Sequence, residues 1–181
     1  MRLIETELKD AYIIEPDVFG DNRGWFMETY NKIKLTNTNV EFVQDNHSYS
    51  QNKGVIRGLH CQLNPMCQTK LVRCTRGRLM DVIVDIRKGS PTYKKWIKVE
   101  LSEENKRQVF VPKGFLHGFV SLTDDVEIQY KVDEYYSKEC DRSVRFDDKE
   151  FGIDWGVENP ILSDKDKNAP LFKDSDCHFE Y

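Results

Sequence analysis

Residues 126 to 133 alternate between apolar and polar side chains with a period of two. Val126, Ile128, Tyr130 and Val132 share one face, and charged or amide side chains occupy the other. This period is typical of a β-strand with one buried face. The sequence therefore predicts a strand in which Tyr130 points inward.

Short β-rich segments recur along the rest of the chain, separated by turn residues. The predicted strands are 12–15, 24–30, 42–48, 55–62, 96–101, 108–111 and 115–122. Between 69 and 86 two β-rich runs meet at Arg76-Gly77, where glycine permits a turn, and this predicts a hairpin. Helical signal is limited to one or two turns at 31–37 and a short turn at 102–105. The pattern favours an antiparallel all-β sandwich or barrel with minor short helices.

The last part of the chain has a different character. From residue 159 onward it carries Pro160, Pro170 and many charges, which predicts an irregular C-terminal segment wrapping the barrel. A length of 181 residues without repeats or linkers is typical of one domain, so we expect a single domain over 1–181.

Composition narrows the classes of function. A net charge of -4 argues against nucleic-acid binding, and the apolar runs are too short to span a membrane. The first residues do not resemble a secretory signal, and five cysteines without a framework spacing fit free thiols in a reducing compartment, so we expect a cytoplasmic protein. The cysteines form no CxxC pair, and we expect no metal site.

A small set of polar residues in these strands could carry chemistry. His60 and His117 lie in strand patterns rich in apolar neighbours, Arg57 precedes His60, and Lys70 begins the next predicted strand. Together with the inward Tyr130 they would be costly to desolvate without a ligand, which indicates a pocket. A histidine can remove a carbon-bound proton if a lysine stabilises the resulting enolate. A tyrosine on the other side can return a proton to the opposite face, which inverts the centre.

Seven motifs, in order, resemble the dTDP-4-dehydrorhamnose 3,5-epimerase family. They are FGDNRGWFMETY (19–30), FVQDNHSYS (42–50), GVIRGLHCQ (54–62), QTKLVRCTRGRLMDVIVDIRKGSPTYKKW (68–96), VPKGFLHGF (111–119), YKVDEYYS (130–137) and PILSDKD (160–166). The resemblance implies a cupin-like jelly-roll barrel and a nucleotide-diphosphate 4-keto sugar as substrate, with no metal or redox cofactor. It also implies a homodimer in which a strand of one subunit borders the pocket of the other.

The resemblance also implies roles for individual residues. His60 matches the family's base, Tyr130 its acid and Lys70 its enolate-stabilising lysine. The aspartate that orients the histidine is Asp166 in the 163–166 signature, with Asp164 as the reserve choice. The implied substrate contacts are Arg23, Glu28, Gln44, Asn46, Arg57, His117, Asp141 and Lys165.

Several alternatives stay open at this point. The substrate is of the dTDP-4-dehydrorhamnose type or a GDP-linked 4-keto heptose of a surface-polysaccharide pathway, and inversion takes place at C3 and C5 or at C3 alone. A 4-keto-sugar ketoisomerase and a non-catalytic sugar-binding jelly roll are further alternatives. A metal-dependent cupin is disfavoured because Gln62 stands where an HxH pair would place its second histidine. The chain also departs from the family by having Cys61 where many members have phenylalanine.

Overall fold

The strands account for most of the regular structure in the computed structural model, which describes residues 1–35, 38 and 40–181. In chain order they are β1 (Arg2–Glu5), β2 (Tyr12–Glu15), β3 (Val18–Asp21), β4 (Gly24–Met27), β5 (Gln44–Ser50), β6 (Ile56–Gln62), β7 (Lys70–Arg76), β8 (Arg78–Asp85), β9 (Arg87–Lys88), β10 (Trp96–Ser102), β11 (Gln108–Val111), β12 (Phe115–Ser121), β13 (Val126–Val132), β14 (Asp141–Ser143) and β15 (Phe179–Glu180). One short helix, α1 (Asp164–Lys167), and a 3-10 turn (Phe172–Asp174) follow β14.

Two antiparallel sheets face each other. The first has six strands in the order β1-β2-β11-β7-β13-β5, and the second has five in the order β10-β8-β12-β6-β14. In the described part of the chain the sheets stay separate and do not close into a barrel. Two small sheets, the β3–β4 hairpin and the parallel β9–β15 pair, complete the strand pairing.

Alternating side chains build apolar layers on both sides of the five-stranded sheet. Val72 and Ile128 of the six-stranded sheet meet Ile83 and Phe119 of the five-stranded sheet in the core between the sheets. The opposite face of the five-stranded sheet packs against the C-terminal segment, which buries Phe172. This confirms the prediction that the tail wraps the sheets.

The predicted hairpin at Arg76-Gly77 is wrong. β7 pairs with β11 and β13, whereas β8 pairs with β10 and β12, so the two consecutive strands lie in different sheets. Gly77 has a φ of 71°, and a Cβ there would lie 2.7 Å from Thr123 Oγ1. The glycine turn was predicted correctly, but it carries the chain across the core, since both strands bury one face in that core.

The other elements agree with the sequence to varying degrees. The ranges 12–15 and 108–111 are observed as predicted, while the strand expected over 24–30 ends at Met27 and that over 42–48 runs from Gln44 to Ser50. β1, β3, β9, β14 and β15 were not predicted. Residues 36 and 37 of the helical turn expected at 31–37 lie outside the described residues. None of the helices in the described ranges is long and apolar enough to span a bilayer.

Candidate active site

A cleft between the two sheets collects most of the predicted site residues. It has two lobes that share His60, Lys70, Tyr130 and Lys165. The first lobe, of about 480 Å³, adds Arg57, His117 and Asp166 to the shared four. The second lobe, of about 320 Å³, adds Gln44, Asn46, Tyr136 and Asp141.

A bulge in β6 places Arg57 and His60 on the same wall. Residues three apart on a regular strand face opposite sides. Here His60 lies opposite His117 but Arg57 lies opposite Phe119, so β6 holds one residue more than β12 between these pairs.

Glycine is required on both strands at the bulge. Gly58 has a φ of 131°, and a Cβ there would lie 2.6 Å from Gly118 Cα. A Cβ on Gly118 would in turn lie 2.9 Å from the Arg57 carbonyl oxygen. The arginine itself reaches across to β5, where Nε donates to Ser50 Oγ at 3.1 Å and Nη2 donates to the Tyr49 carbonyl oxygen at 2.8 Å.

His60 is paired with a carboxylate from the C-terminal segment. Its Nε2 contacts Asp166 Oδ1, and Asp166 is only 3% exposed. Ser163 caps α1 and accepts from the Asp166 backbone N–H at 3.1 Å, while its hydroxyl donates to Asp166 Oδ2 at 2.9 Å. The contact occupies Nε2 and leaves Nδ1 of His60 for a ligand.

Backbone pairing brings α1 to β6. The Ile56 N–H donates to the Ile161 carbonyl oxygen and the Ile161 N–H donates to the Gly54 carbonyl oxygen, each at 2.9 Å. Burial raises the pKa of Asp166, but the His60 contact and the Ser163 hydroxyl lower it by more, so the net pKa lies below the ordinary value. Asp166 is therefore ionised beside His60 at neutral pH.

Lys70 and Tyr130 lie on the opposite wall. In the β7–β13 register Tyr130 faces Val72 and Val132 faces Lys70, so the two polar side chains are diagonal neighbours on one face. Burial lowers the pKa of Lys70, and the charges of Asp81 and Asp141 offset only part of that. Burial raises the pKa of Tyr130, which keeps its hydroxyl protonated at neutral pH.

The second lobe is lined by paired polar groups. Gln44 Nε2 donates to Asn46 Oδ1 at 2.8 Å, and Lys165 Nζ contacts Asp141 Oδ2. Lys165 is therefore held at the boundary between the lobes. Amide groups and an ion pair suit a polar ligand.

A second histidine–carboxylate pair was only half predicted. His117 Nε2 lies 2.8 Å from Asp81 Oδ2, and Asp81 is 1% exposed. The sequence motifs pointed to the histidine but not to the aspartate. The available signal was an acidic residue on the same strand face as Leu79 and Ile83, which belong to the core between the sheets.

Arg23 and Glu28 lie outside the cleft of their own chain. Arg23 is at the end of the β3–β4 hairpin, with its side chain 85% exposed and Nη2 2.6 Å from Asp21 Oδ2. Glu28 pairs with Lys34 at 2.9 Å and accepts from Asn31 at 3.0 Å. The other ten predicted residues line the two lobes.

The cleft holds the groups that are needed to remove a proton from one face of a carbon and to return one to the opposite face. A carboxylate-backed histidine on one sheet faces a protonated tyrosine on the other, and a desolvated lysine lies beside the tyrosine. Such a pair can remove a proton from one side of a ligand and deliver one from the other, with the ammonium group stabilising negative charge between them.

Comparison with known proteins identifies the family. A family model described as dTDP-4-dehydrorhamnose 3,5-epimerase matches residues 5–174. A curated protein of that name from Shigella flexneri is 54% identical over 179 residues, covering 97% of this chain and 98% of the relative. The chain belongs to the dTDP-4-dehydrorhamnose 3,5-epimerase family.

Solved structures agree with this assignment. The dTDP-6-deoxy-D-glucose-3,5-epimerase RmlC from Legionella pneumophila Philadelphia 1, in complex with dTDP-4-keto-L-rhamnose, has a TM-score of 0.92 at 41% identity and covers 99% of this chain and 98% of its own. ChmJ, a 3′-monoepimerase from Streptomyces bikiniensis in complex with dTDP-quinovose, has a TM-score of 0.87 at 32% identity and covers 93% and 86%. The predicted fold class, a cupin-like jelly roll, is confirmed.

Proposed function

We propose that the protein is an epimerase of a dTDP-linked 4-keto-6-deoxy sugar that inverts C3 and C5. The observation that carries the proposal is the placement of His60, with its partner Asp166, and of Tyr130 on facing sheets across one cleft. Inversion requires proton removal and proton return on opposite faces of the sugar ring, and facing sheets provide two such positions.

The proposed reaction uses three side chains in order. His60 Nδ1 takes the proton from the carbon next to the C4 ketone, and its electron pair forms the C4 enolate. Lys70 stabilises the enolate oxygen, which its position on a desolvated wall favours. Tyr130 then gives its hydroxyl proton to the opposite face of the carbon, which restores the ketone with inverted configuration. Solvent returns His60 and Tyr130 to their starting protonation states.

Substrate binding is proposed for residues of both lobes. Arg57 and Lys165 suit the diphosphate, because a guanidinium fork and an ammonium group both bind phosphate oxygens well. Gln44, Asn46, Asp141 and His117 are proposed to contact the sugar and the nucleoside.

The cleft draws on residues from 44 to 166, and we therefore propose that the chain works as one domain. Its five free thiols favour a reducing, cytoplasmic location.

A homodimer is proposed to complete the site. The β3–β4 hairpin exposes Phe19, Trp25 and Phe26 by 66%, 58% and 70%, and apolar area of this kind marks an interaction surface. The outer face of the six-stranded sheet holds Arg73, whose Nε and Nη1 are buried without a hydrogen-bond partner among the described residues. A second copy on this face would cover the hairpin of the first chain. Arg23 and Glu28 of the first chain would then lie at the cleft of the second.

Subunit mixing tests this arrangement. Arg23→Ala and His60→Ala chains are unfolded together and refolded as a mixture. If Arg23 serves the partner's cleft, each mixed dimer has one intact cleft, and about a quarter of the wild-type sites return. Mixing two His60→Ala preparations is the control and should stay inactive. Arg23→Ala and His60→Ala chains that stay inactive after mixing would refute the shared cleft.

The activity is tested by proton NMR in D2O. The purified protein is given dTDP-linked and GDP-linked 4-keto sugars, and deuterium uptake at C3 and C5 is followed. Uptake at both carbons of the dTDP substrate, lost in His60→Ala but retained in His178→Ala, supports the proposal. His178 is a suitable control because it is exposed and lines neither lobe of the cleft. Absence of uptake with every substrate would refute it.

A C3-only epimerase is the second candidate. The likeness to the 3′-monoepimerase ChmJ favours it, at a TM-score of 0.87. The same NMR experiment separates the two activities, since deuterium at C3 without deuterium at C5 would replace the first proposal by the second.

A further inference from the structure

Two buried cysteines meet on the reverse side of the strand that carries His60. Cys61 follows His60 in β6 and is buried in the apolar layer under the C-terminal segment. Cys177 lies between the 3-10 turn and β15. The two sulfur atoms are 3.7 Å apart across a sequence separation of 116 positions, and the residues are 4% and 0% exposed.

The thiols of this pair are chemically unequal. The Cys61 thiol donates its hydrogen to the sulfur of Cys177. This hydrogen bond and burial raise the pKa of Cys61 well above the ordinary value. The same hydrogen bond lowers the pKa of Cys177 by more than burial raises it. The thiolate is the reactive form, so Cys177 is the nucleophile and Cys61 the partner that closes the bond.

Access to Cys177 needs only a small local opening. The neighbouring Asp176 and His178 are exposed, and β15 consists of two residues. On the surface the segment is held by the ion pair of Arg142 Nε with Asp176 Oδ1 at 2.7 Å. Strands of two residues open locally at a lower free-energy cost than the central strands of a sheet. Such an opening, which would also expose the buried Phe179, admits a small oxidant.

We propose that Cys61 and Cys177 form a reversible intrachain disulfide when the protein meets hydrogen peroxide. The Cys177 thiolate attacks one peroxide oxygen, the O–O bond breaks, and a sulfenic acid and hydroxide form. The Cys61 sulfur then attacks the sulfenic sulfur, the S–O bond breaks, and water leaves. The two thiols lose two electrons and two protons, and the peroxide is reduced to water. An excess of a dithiol reductant reverses the step.

The disulfide would hold the C-terminal segment onto β6. A bond needs the sulfurs at about 2.0 Å, so they must approach by about 1.7 Å from their present separation. The closed loop contains four strands of the five-stranded sheet, half of the six-stranded sheet and α1 with Asp166. A cross-link over a loop of this length restricts the unfolded chain, and we expect the thermal midpoint to rise by roughly 5 °C or more on oxidation.

The experiment measures the link and its effect on the same sample. The fully reduced, folded protein is treated with hydrogen peroxide, free thiols are alkylated, and intact mass and non-reduced peptides are analysed. The expected result is the loss of two hydrogen atoms, a peptide joining Cys61 to Cys177, a higher thermal midpoint, and return of both properties after dithiothreitol.

Matched variants separate this pair from general thiol oxidation. Cys61→Ala and Cys177→Ala should each lose the link and the rise in thermal midpoint, provided that circular dichroism shows them folded. Cys74→Ala should keep both, because the Cys74 thiol is hydrogen-bonded to the carbonyl oxygens of Arg76 and Gly77. Free thiols at Cys61 and Cys177 after treatment, a different cysteine pairing, or an unchanged thermal midpoint in the linked protein would overturn the proposal.

Discussion

Replacing Asp166 by asparagine tests the His60–Asp166 pair most directly. The carboxylate is almost fully buried, with one oxygen on His60 Nε2 and the other accepting from Ser163. If only its charge mattered, Asp166→Asn would lose a charge-assisted hydrogen bond of about 1.5–3 kcal/mol, which is roughly a 10- to 150-fold loss in rate.

The geometry predicts a larger loss. If the asparagine oxygen takes the Ser163 hydroxyl, its NH2 group faces His60 Nε2, and the imidazole proton moves to Nδ1. The nitrogen that faces the substrate can then no longer accept a proton. A wrong tautomer of this kind lowers kcat by about 10⁴-fold in a serine protease, so we expect a loss of roughly 10³- to 10⁴-fold, or about 4–5.5 kcal/mol of activation free energy.

The assay is the initial rate of deuterium uptake at C3 and C5 with saturating substrate. Asp164→Asn is the matched control, because Asp164 is on the same helix with an exposed side chain, and we expect its rate within about twofold of wild type. Thermal unfolding confirms that both variants are folded. A loss below about threefold in Asp166→Asn, or an equal loss in both variants, would refute the role given to Asp166.

Three further predictions concern single groups of the cleft. Tyr130→Phe should lower formation of the inverted product by about 10²- to 10⁴-fold, while NMR still detects deuterium exchange into recovered substrate through His60; inverted product at the wild-type rate would contradict this. Lys70→Met should lower kcat by roughly 10²- to 10³-fold yet raise the thermal midpoint at pH 7, because desolvation lowers the pKa of the Lys70 ammonium group and its charge therefore opposes folding; a lower midpoint would contradict the second part. The lowered pKa of Asp166 stabilises the fold above the ordinary carboxyl pKa, and this contribution is lost as pH falls through the lower folded value. The gap in thermal midpoint between wild type and Asp166→Asn should therefore shrink below about pH 4, and a gap that widens in this acid range would disprove it.

Local sequence pattern predicted the elements that depend on local chemistry. The period-two alternation of 126–133 placed Tyr130 on the inner face, and the cleft lining agrees. The turn residues that flank β2 and β11 predicted the bounds of both strands as they are observed. Gly77 was found as a turn, but the partner strands on either side of it were not, since a glycine specifies a backbone conformation and not the strand that pairs beyond it.

The site required more than alternation. Strand periodicity puts Arg57 and His60 on opposite faces, and only the bulge between Gly58 and Gly118 brings them to one wall. Asp81 was missed because its partner His117 is on another strand. The family motifs, not the periodicity, pointed to Asp166, which lies 106 positions from His60.

The sequence by itself therefore determined the all-β class, the inward face of the Tyr130 strand and, through its motifs, the residues that meet in the cleft. The tertiary structure decided which strands share a sheet, which of the two aspartates in α1 reaches His60, and that Arg23 and Glu28 lie away from the cleft of their own chain. The physical reason is that alternation and turn chemistry are set by neighbours in the chain. Sheet order, the glycine bulge and the long-range carboxylate contact depend on packing between segments far apart in sequence.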